Sequence, residues 1–321
     1  MMTLYQRSVR RCKTVNALNK VHIALENRMT PLELAVLQSA CSPRCPSALI
    51  PLLARTSKNL WRRFPWIFNV WRKRAGESVY VRNWIVNLAR ACSLSGKTIP
   101  ETFNRYRLSS NVVLFKSDRC GTDRALAICF AGDAQRMMIP TPVFLQHVPA
   151  ERVDVALIRD PSRNGFRSGI RGLADNFGTC ISKLDDLLQI RQYRQAVSIG
   201  VSGGGLPAIL TALKLGLDAA LSVGGNAPDD PRWKVADPLG AANLVRTFSN
   251  RSPKSPSIYL VFGAQSPVDQ ASAEALAALI PSQIIPISDA VDSVGHNAIY
   301  PLVKQGKLGE FLDTTVFAGL R

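Results

Sequence analysis

Gly200, Ser202 and Gly204 set a G-x-S-x-G spacing inside Ala196-Val197-Ser198-Ile199-Gly200-Val201-Ser202-Gly203-Gly204-Gly205-Leu206-Pro207-Ala208-Ile209-Leu210, between an apolar run and a helix-forming run. A serine hydroxyl attacks a carbonyl only when a neighbouring base takes its proton. It must also project from a turn so tight that its own backbone is strained, which requires small residues two positions away on either side. Gly200 and Gly204 meet that demand, and Gly203 and Gly205 add clearance. A helix starting there aims its first N–H groups at the serine.

Three histidines, His22, His147 and His296, are present. His296 follows the last apolar run in Gly295-His296-Asn297, whereas His22 lies in a basic helical part and His147 on a predicted helix, where both read as structural. A phosphate-binding turn competes for the glycines, because Gly203 to Ala208 also satisfies G-x-G-x-x-A after a strand. The next strand ends Val223-Gly224-Gly225-Asn226 with no acidic residue to hold a ribose, and the motif falls on the fourth predicted strand instead of opening the domain. No G-x-x-x-x-G-K-[ST] occurs, which excludes a Walker site. A glycine turn with a purely structural role is the third reading.

The elements that must position these residues change character along the chain. Residues 1–105 read as helices; Thr30 with Glu33 three residues on is a capping-box signature. From Ser110 short apolar runs alternate with helical stretches, the rhythm of an α/β domain with a mostly parallel sheet. The pattern predicts strands at Asn111–Lys116, Ala125–Phe130, Val153–Ile158, Ala196–Val201, Ala219–Val223, Ser257–Phe262 and Gln283–Ile287. It predicts helices at Pro142–His147, Gly172–Gln192, Gly205–Leu215 and Gln270–Leu279, and a last one from Ala298 to Leu312. The connection from Asn226 to Pro256, rich in Asp, Pro and Asn, reads as an irregular loop or cap.

With the serine turn, the element order and the Gly-His pair in place, residues 110–315 resemble the α/β-hydrolase superfamily of serine esterases and lipases. The resemblance implies a mostly parallel sheet of the α/β-hydrolase type; with the charge and helix pattern, the chain divides into a basic, mainly helical extension over 1–105 and an α/β-hydrolase-like domain over 106–321. It also implies a triad in the chain order Ser, acid, His. Ser202 and His296 take the first and last places. Members often carry the acid three residues after the glycine that closes the strand before it, but Ser266 stands there, and Asp269 follows three residues later. Asp269 is the favoured acid; Asp229 and Asp230 after the preceding strand, and Asp289 and Asp292 near His296, stay open as alternatives. Asp269 could otherwise serve only as a helix cap.

The oxyanion hole implied by the resemblance takes one N–H from Gly203 and one from the loop Ala131–Pro140, at Asp133 or Ala134, although the family's His-Gly-Gly sequence is absent. Met137 and Met138 line an apolar acyl pocket or fill core space. The implied activity is hydrolysis of an ester or thioester, or acyl transfer, on a small molecule or a lipid or glycan acyl group, with no metal or organic cofactor. The alternative is a non-catalytic protein of the same fold that binds an anionic membrane or polymer.

Composition narrows the setting. A chain of 321 residues with 46% hydrophobic and 20% charged residues has material for a sizeable core, which excludes disorder over most of it. No run of eighteen apolar residues appears, and the first residues lack a signal-peptide core. Seven cysteines at irregular spacings suggest reduced thiols in the cytoplasm. Cys41 and Cys45 have no second pair at finger spacing to make a zinc site.

The net charge of +17 is uneven: residues 1–100 carry 17 Lys and Arg against 3 Asp and Glu, a balance of +14, and the remainder only +3. Residues 58–74 interleave Trp61, Trp66 and Trp71 with six cations. That mixture suits an anionic membrane surface or acidic polymer. Alternatively Trp61, Phe64, Phe68 and Trp71 form one packed helical stripe that Pro65 interrupts. Nucleic acid is a third partner, which no motif supports.

Overall fold

The computed structural model describes residues 103–117, 123–139, 141–228, 230, 238–251, 254–289 and 294–320. The helices expected before residue 103, the Thr30 cap, the Trp61 to Trp71 stretch, His22, Asp229 and Asp292 lie outside the described residues.

Eight strands form one sheet: β1 Phe103–Arg107, β2 Val112–Ser117, β3 Ala125–Phe130, β4 Val153–Ile158, β5 Gln195–Val201, β6 Ala219–Val223, β7 Ser257–Gly263 and β8 Gln283–Ile287. Their spatial order is β1-β2-β4-β3-β5-β6-β7-β8. β2 is antiparallel to both β1 and β4, and every later pairing is parallel. Strands β3, β4 and β6 are buried at every residue, as parallel strands covered on both faces must be. The register pairs Phe130 with both Ile158 and Gly200, Val201 with Val223, and Val223 with Val261. The carboxyl ends of β3, β5, β6 and β7 therefore finish at nearly one level, and the loops leaving them share one edge of the sheet.

Seven α-helices flank the sheet among the described residues: α1 Thr141–Leu145, α2 Phe177–Leu188, α3 Gly205–Leu215, α4 Pro238–Arg251, α5 Pro267–Ala277, α6 Ile299–Lys304 and α7 Leu308–Thr314. α3 is buried from Gly205 to Leu213 and packs on β5 and β6, so it reads as apolar all round instead of striped. α2 carries the opposite signature, with Phe177, Cys180, Ile181, Leu184 and Leu188 at three- and four-residue spacing. Asn176 caps it by accepting from the Thr179 N–H at 2.8 Å. Phe130 meets Phe166 edge-on at 5.2 Å and Phe177 at 6.4 Å beneath β3.

Four expectations change. β1 occupies 103–107, across the expected boundary at 105 and where helix was expected to end. It is an edge strand whose Asn104, Arg105 and Arg107 interrupt the apolar alternation, and such cations also protect an edge. The Asn226 to Pro256 connection contains helix α4. Gly240, Asn243 and Ser249 weaken its helical signal, and burial of Val245, with Phe248 packed against the core, fixes it from outside. α2 starts at Phe177 and not at Gly172, because Gly169 and Gly172 take positive φ and Ile170 bridges Ala174 in a turn. The last helix is two, α6 and α7, broken at Gly306 with φ 71°. The strand order and directions, with flanking helices, are those of the α/β-hydrolase fold.

Candidate active site

Ser202 sits directly after β5 with φ 51°, a left-handed conformation that costs a non-glycine residue about 1–3 kcal/mol. It opens a 3-10 turn, Ser202–Gly204, that runs into α3. The turn closes because its neighbours lack side chains: a Cβ on Gly200 would overlap the Gly204 carbonyl, and one on Gly204 would overlap the Phe130 carbonyl of β3. The Gly203 N–H lies at the start of this helical run, where no preceding turn supplies an acceptor.

His296 reaches Ser202 from the loop after β8. Its Nε2 lies 3.0 Å from Ser202 Oγ, and its Nδ1 lies 2.8 Å from Asp269 Oδ2. A carboxylate only accepts, so Nδ1 carries the proton, and Nε2 is left to accept from the serine hydroxyl. The imidazole is 45% exposed and the Asp269 side chain 0%. Gly224, after β6, comes so close to the ring that an added Cβ would stand 3.1 Å from Nδ1.

The loops carrying Asp269 and His296 are tied together by hydrogen bonds. Gln265 N–H donates to the Val294 carbonyl at 3.0 Å, and Val294 N–H donates to Gln265 Oε1 at 2.6 Å. Ala264 N–H donates to Ile287 of β8 at 2.8 Å. Asp269 lies in the first turn of α5, where the helix dipole favours a negative charge. Ser266 and Asp269 have the S-x-x-acid spacing of a capping box, yet the Ser266 side chain makes no cap bond. Its Oγ donates instead to Asp269 Oδ2 at 2.7 Å, and its N–H goes to the Gly263 carbonyl at 2.8 Å. Sequence reasoning had set Ser266 aside as the place where an acid was missing; the Ser-Pro-x-Asp spacing was the signal that it belongs to the acid.

The other candidate acids stand elsewhere. Asp230 is buried and accepts from Ser272 Oγ of α5 at 2.7 Å. Asp289 lies 3.7 Å from Lys304 Nζ. His147 is mostly buried at the end of α1, and burial pushes its pKa down.

Across the serine lies the loop after β3. A Cβ on Gly132 would stand 3.1 Å from Ser202 Cβ, so this loop touches the elbow. The Gly132 N–H is committed to the Arg136 carbonyl at 3.2 Å, which leaves Asp133 and Ala134, both exposed, as the loop's candidate donors. Gln135 anchors the loop: its Nε2 donates to the Asp160 carbonyl at 2.5 Å, and its own carbonyl accepts from Arg159 Nε at 3.2 Å. Asn297 Nδ2 donates to the Met138 carbonyl at 3.2 Å, joining this loop to the histidine loop. Met137 is fully buried and so fills core, while Met138 is half-buried with φ 60°.

Cys129 and Cys180 are buried free thiols; burial raises both, and Cys180 is pushed up to about 12, which leaves neither as a thiolate nucleophile at neutral pH. Among the described residues no group of three His, Cys, Asp or Glu is arranged to hold a metal, and no helix is long and apolar enough to cross a membrane.

No protein-family model and no curated protein matches the chain. Among solved structures it is similar to a dienelactone hydrolase from Anabaena variabilis, at 14% identity over 67% of this chain and 99% of that one, with a TM-score of 0.45. It is also similar to a 2,6-dihydroxy-pseudo-oxynicotine hydrolase, at 14% identity over 89% and 96% with a TM-score of 0.48. A third is esterase B from Lactobacillus rhamnosis, at 14% identity over 74% and 93% with a TM-score of 0.46.

Proposed function

We propose that the chain is a serine hydrolase that cleaves an ester or thioester, or passes the acyl group to another acceptor. The reading is carried by one observation: Ser202 Oγ, on a strained left-handed backbone, lies 3.0 Å from His296 Nε2, whose Nδ1 lies 2.8 Å from a buried Asp269 carboxylate. In this reading the hydroxyl proton passes to Nε2 as Oγ attacks the acyl carbonyl. Asp269 holds the ring in the tautomer that can accept, and stabilises the imidazolium that forms. The tetrahedral oxyanion is held by N–H groups of Gly203 and of Asp133 or Ala134. His296 then gives its proton to the leaving oxygen or sulfur, and water or an acceptor repeats the cycle on the acyl-enzyme. The exposed imidazole suits an acceptor arriving from solvent.

A fluorophosphonate probe tests this. Covalent attachment at Ser202, abolished by His296→Ala, is expected; an unlabelled native protein favours the alternative, a non-catalytic scaffold of the same fold. For the first hundred residues, with a balance of +14, we propose docking on an anionic surface. Cosedimentation of the full chain with acidic vesicles should weaken as salt rises, and its absence at low salt sinks that reading.

A further inference from the structure

A carboxylate stands beside Ser202 with no ion-pair partner among the described residues. A Cβ on Gly203 would lie 3.1 Å from Asp133 Oδ1, so the Asp133 carboxylate packs over the backbone of the residue that follows Ser202. Asp133 is exposed, and no Lys, Arg or His among the described residues pairs with it. Asp123, Asp154, Asp218, Asp289 and Asp313 pair with a Lys or Arg while several surface aspartates among the described residues do not, so what sets Asp133 apart is its place against Gly203.

The position conflicts with the chemistry expected there. If Gly203 N–H holds the oxyanion, a carboxylate packed against the same residue repels the charge that develops during attack. The repulsion is absent in the neutral ground state, so it raises the barrier itself. A substrate that brings its own positive charge to Asp133 removes the penalty and gains an attraction. A substrate that brings a second negative charge compounds it. The Gly132, Gln135 and Arg159 bonds hold the backbone that carries Asp133 against the elbow.

We infer that the site selects acyl substrates carrying a cationic group close to the scissile carbonyl, with Asp133 as the specificity-determining residue. This rests on the serine hydrolase reading above. The test uses the full chain and three 4-nitrophenyl esters of similar size: a butyrate, a butyrate bearing a terminal trimethylammonium, and a hemisuccinate. In the wild type kcat/KM should fall in the order cationic, neutral, anionic, with about tenfold or more between the ends, a separation that narrows as salt rises. Asp133→Asn should lower kcat/KM for the cationic ester and raise it for the anionic one. Those opposite signs cannot come from a general loss of structure. Turnover of all three that moves in parallel, or a wild type that prefers the hemisuccinate, overturns the inference while leaving the hydrolase reading standing. No turnover of any ester together with no fluorophosphonate label on Ser202 removes both.

Discussion

Asp154 and Asp269 are both almost wholly buried carboxylates, and they lie at opposite ends of the parallel strands. Asp154, near the start of β4, accepts from Arg124 Nε at 2.9 Å and also from Arg124 Nη2, while Tyr193 OH donates to its other oxygen at 3.0 Å. Two further Arg124 N–H groups donate to the carbonyls of Ala150 and Glu151 at 2.9 and 3.0 Å. Burial and the Asp154 charge together push the Tyr193 hydroxyl up, so it stays a donor. Asp269, past the end of β7, faces an imidazole and a serine hydroxyl. A carboxylate locked to a guanidinium has a partner that never changes charge, so it can only hold structure. One placed on an imidazole has a partner that can take and return a proton. The partner, not the burial, separates the two roles.

The largest expected effect breaks the comparison by function. Ser202→Ala, His296→Ala and Asp269→Asn should each reduce ester turnover by about 10³-fold or more, and the Ser202–His296 double mutant should be little slower than either single. Asp154→Asn should leave kcat of the folded protein within about twofold, since no atom of that cluster contacts the site. A comparable loss from Asp154→Asn would erase the distinction.

Next comes stability. Asp154→Ala leaves a buried guanidinium unpaired and should cost about 3–5 kcal/mol in urea unfolding, with Arg124→Ala similar and the pair less than additive. Asp269→Asn keeps its volume and should cost much less. If the two midpoints fall together, Asp269 is structural too.

Ser266→Ala sharpens the picture at the site itself. Hydrogen bonds to charged groups are worth about 1.5–3 kcal/mol, so kcat should fall about tenfold or more with KM unchanged, and Ser266→Thr should restore most of it. An unchanged kcat would reduce Ser266 to a bystander. The smallest effect on turnover is that of Tyr193→Phe, which loses a bond to the Asp154 carboxylate and is expected to cost about 1.5–3 kcal/mol of stability and no activity. Parallel activity and unfolding assays on one preparation check both.

Much of the domain was legible from the chain. β3, β4, β6, β8 and α3 lie at the residues that apolar runs and turn signals assigned to them; β3, β4 and β6 are buried along their whole length and so mostly apolar, and glycine or proline punctuates the runs. The Ser202 turn was legible for the same local reason: steric crowding within five residues decides which side chains it can carry. β1 and α4 were not, because one is an edge with little to bury and the other takes its stability from packing against α3. The N–H donors across from Gly203 were narrowed to a loop but not to a residue, since loop conformation depends on Gln135 and Arg159 bonds to distant backbone.

The sequence by itself therefore determined the alternation of strands and helices and the Ser202 turn, set by neighbours along the chain, and singled out His296 as the candidate histidine. Which carboxylate meets that histidine was decided only in three dimensions. Asp269 is 27 residues from His296, and Ser202 is 94. What brings them together is the parallel pairing of β5, β6, β7 and β8 and the bonds between Gln265 and Val294. Several aspartates carry the same charge and differ only in where the backbone leaves them, which no local pattern of residues records.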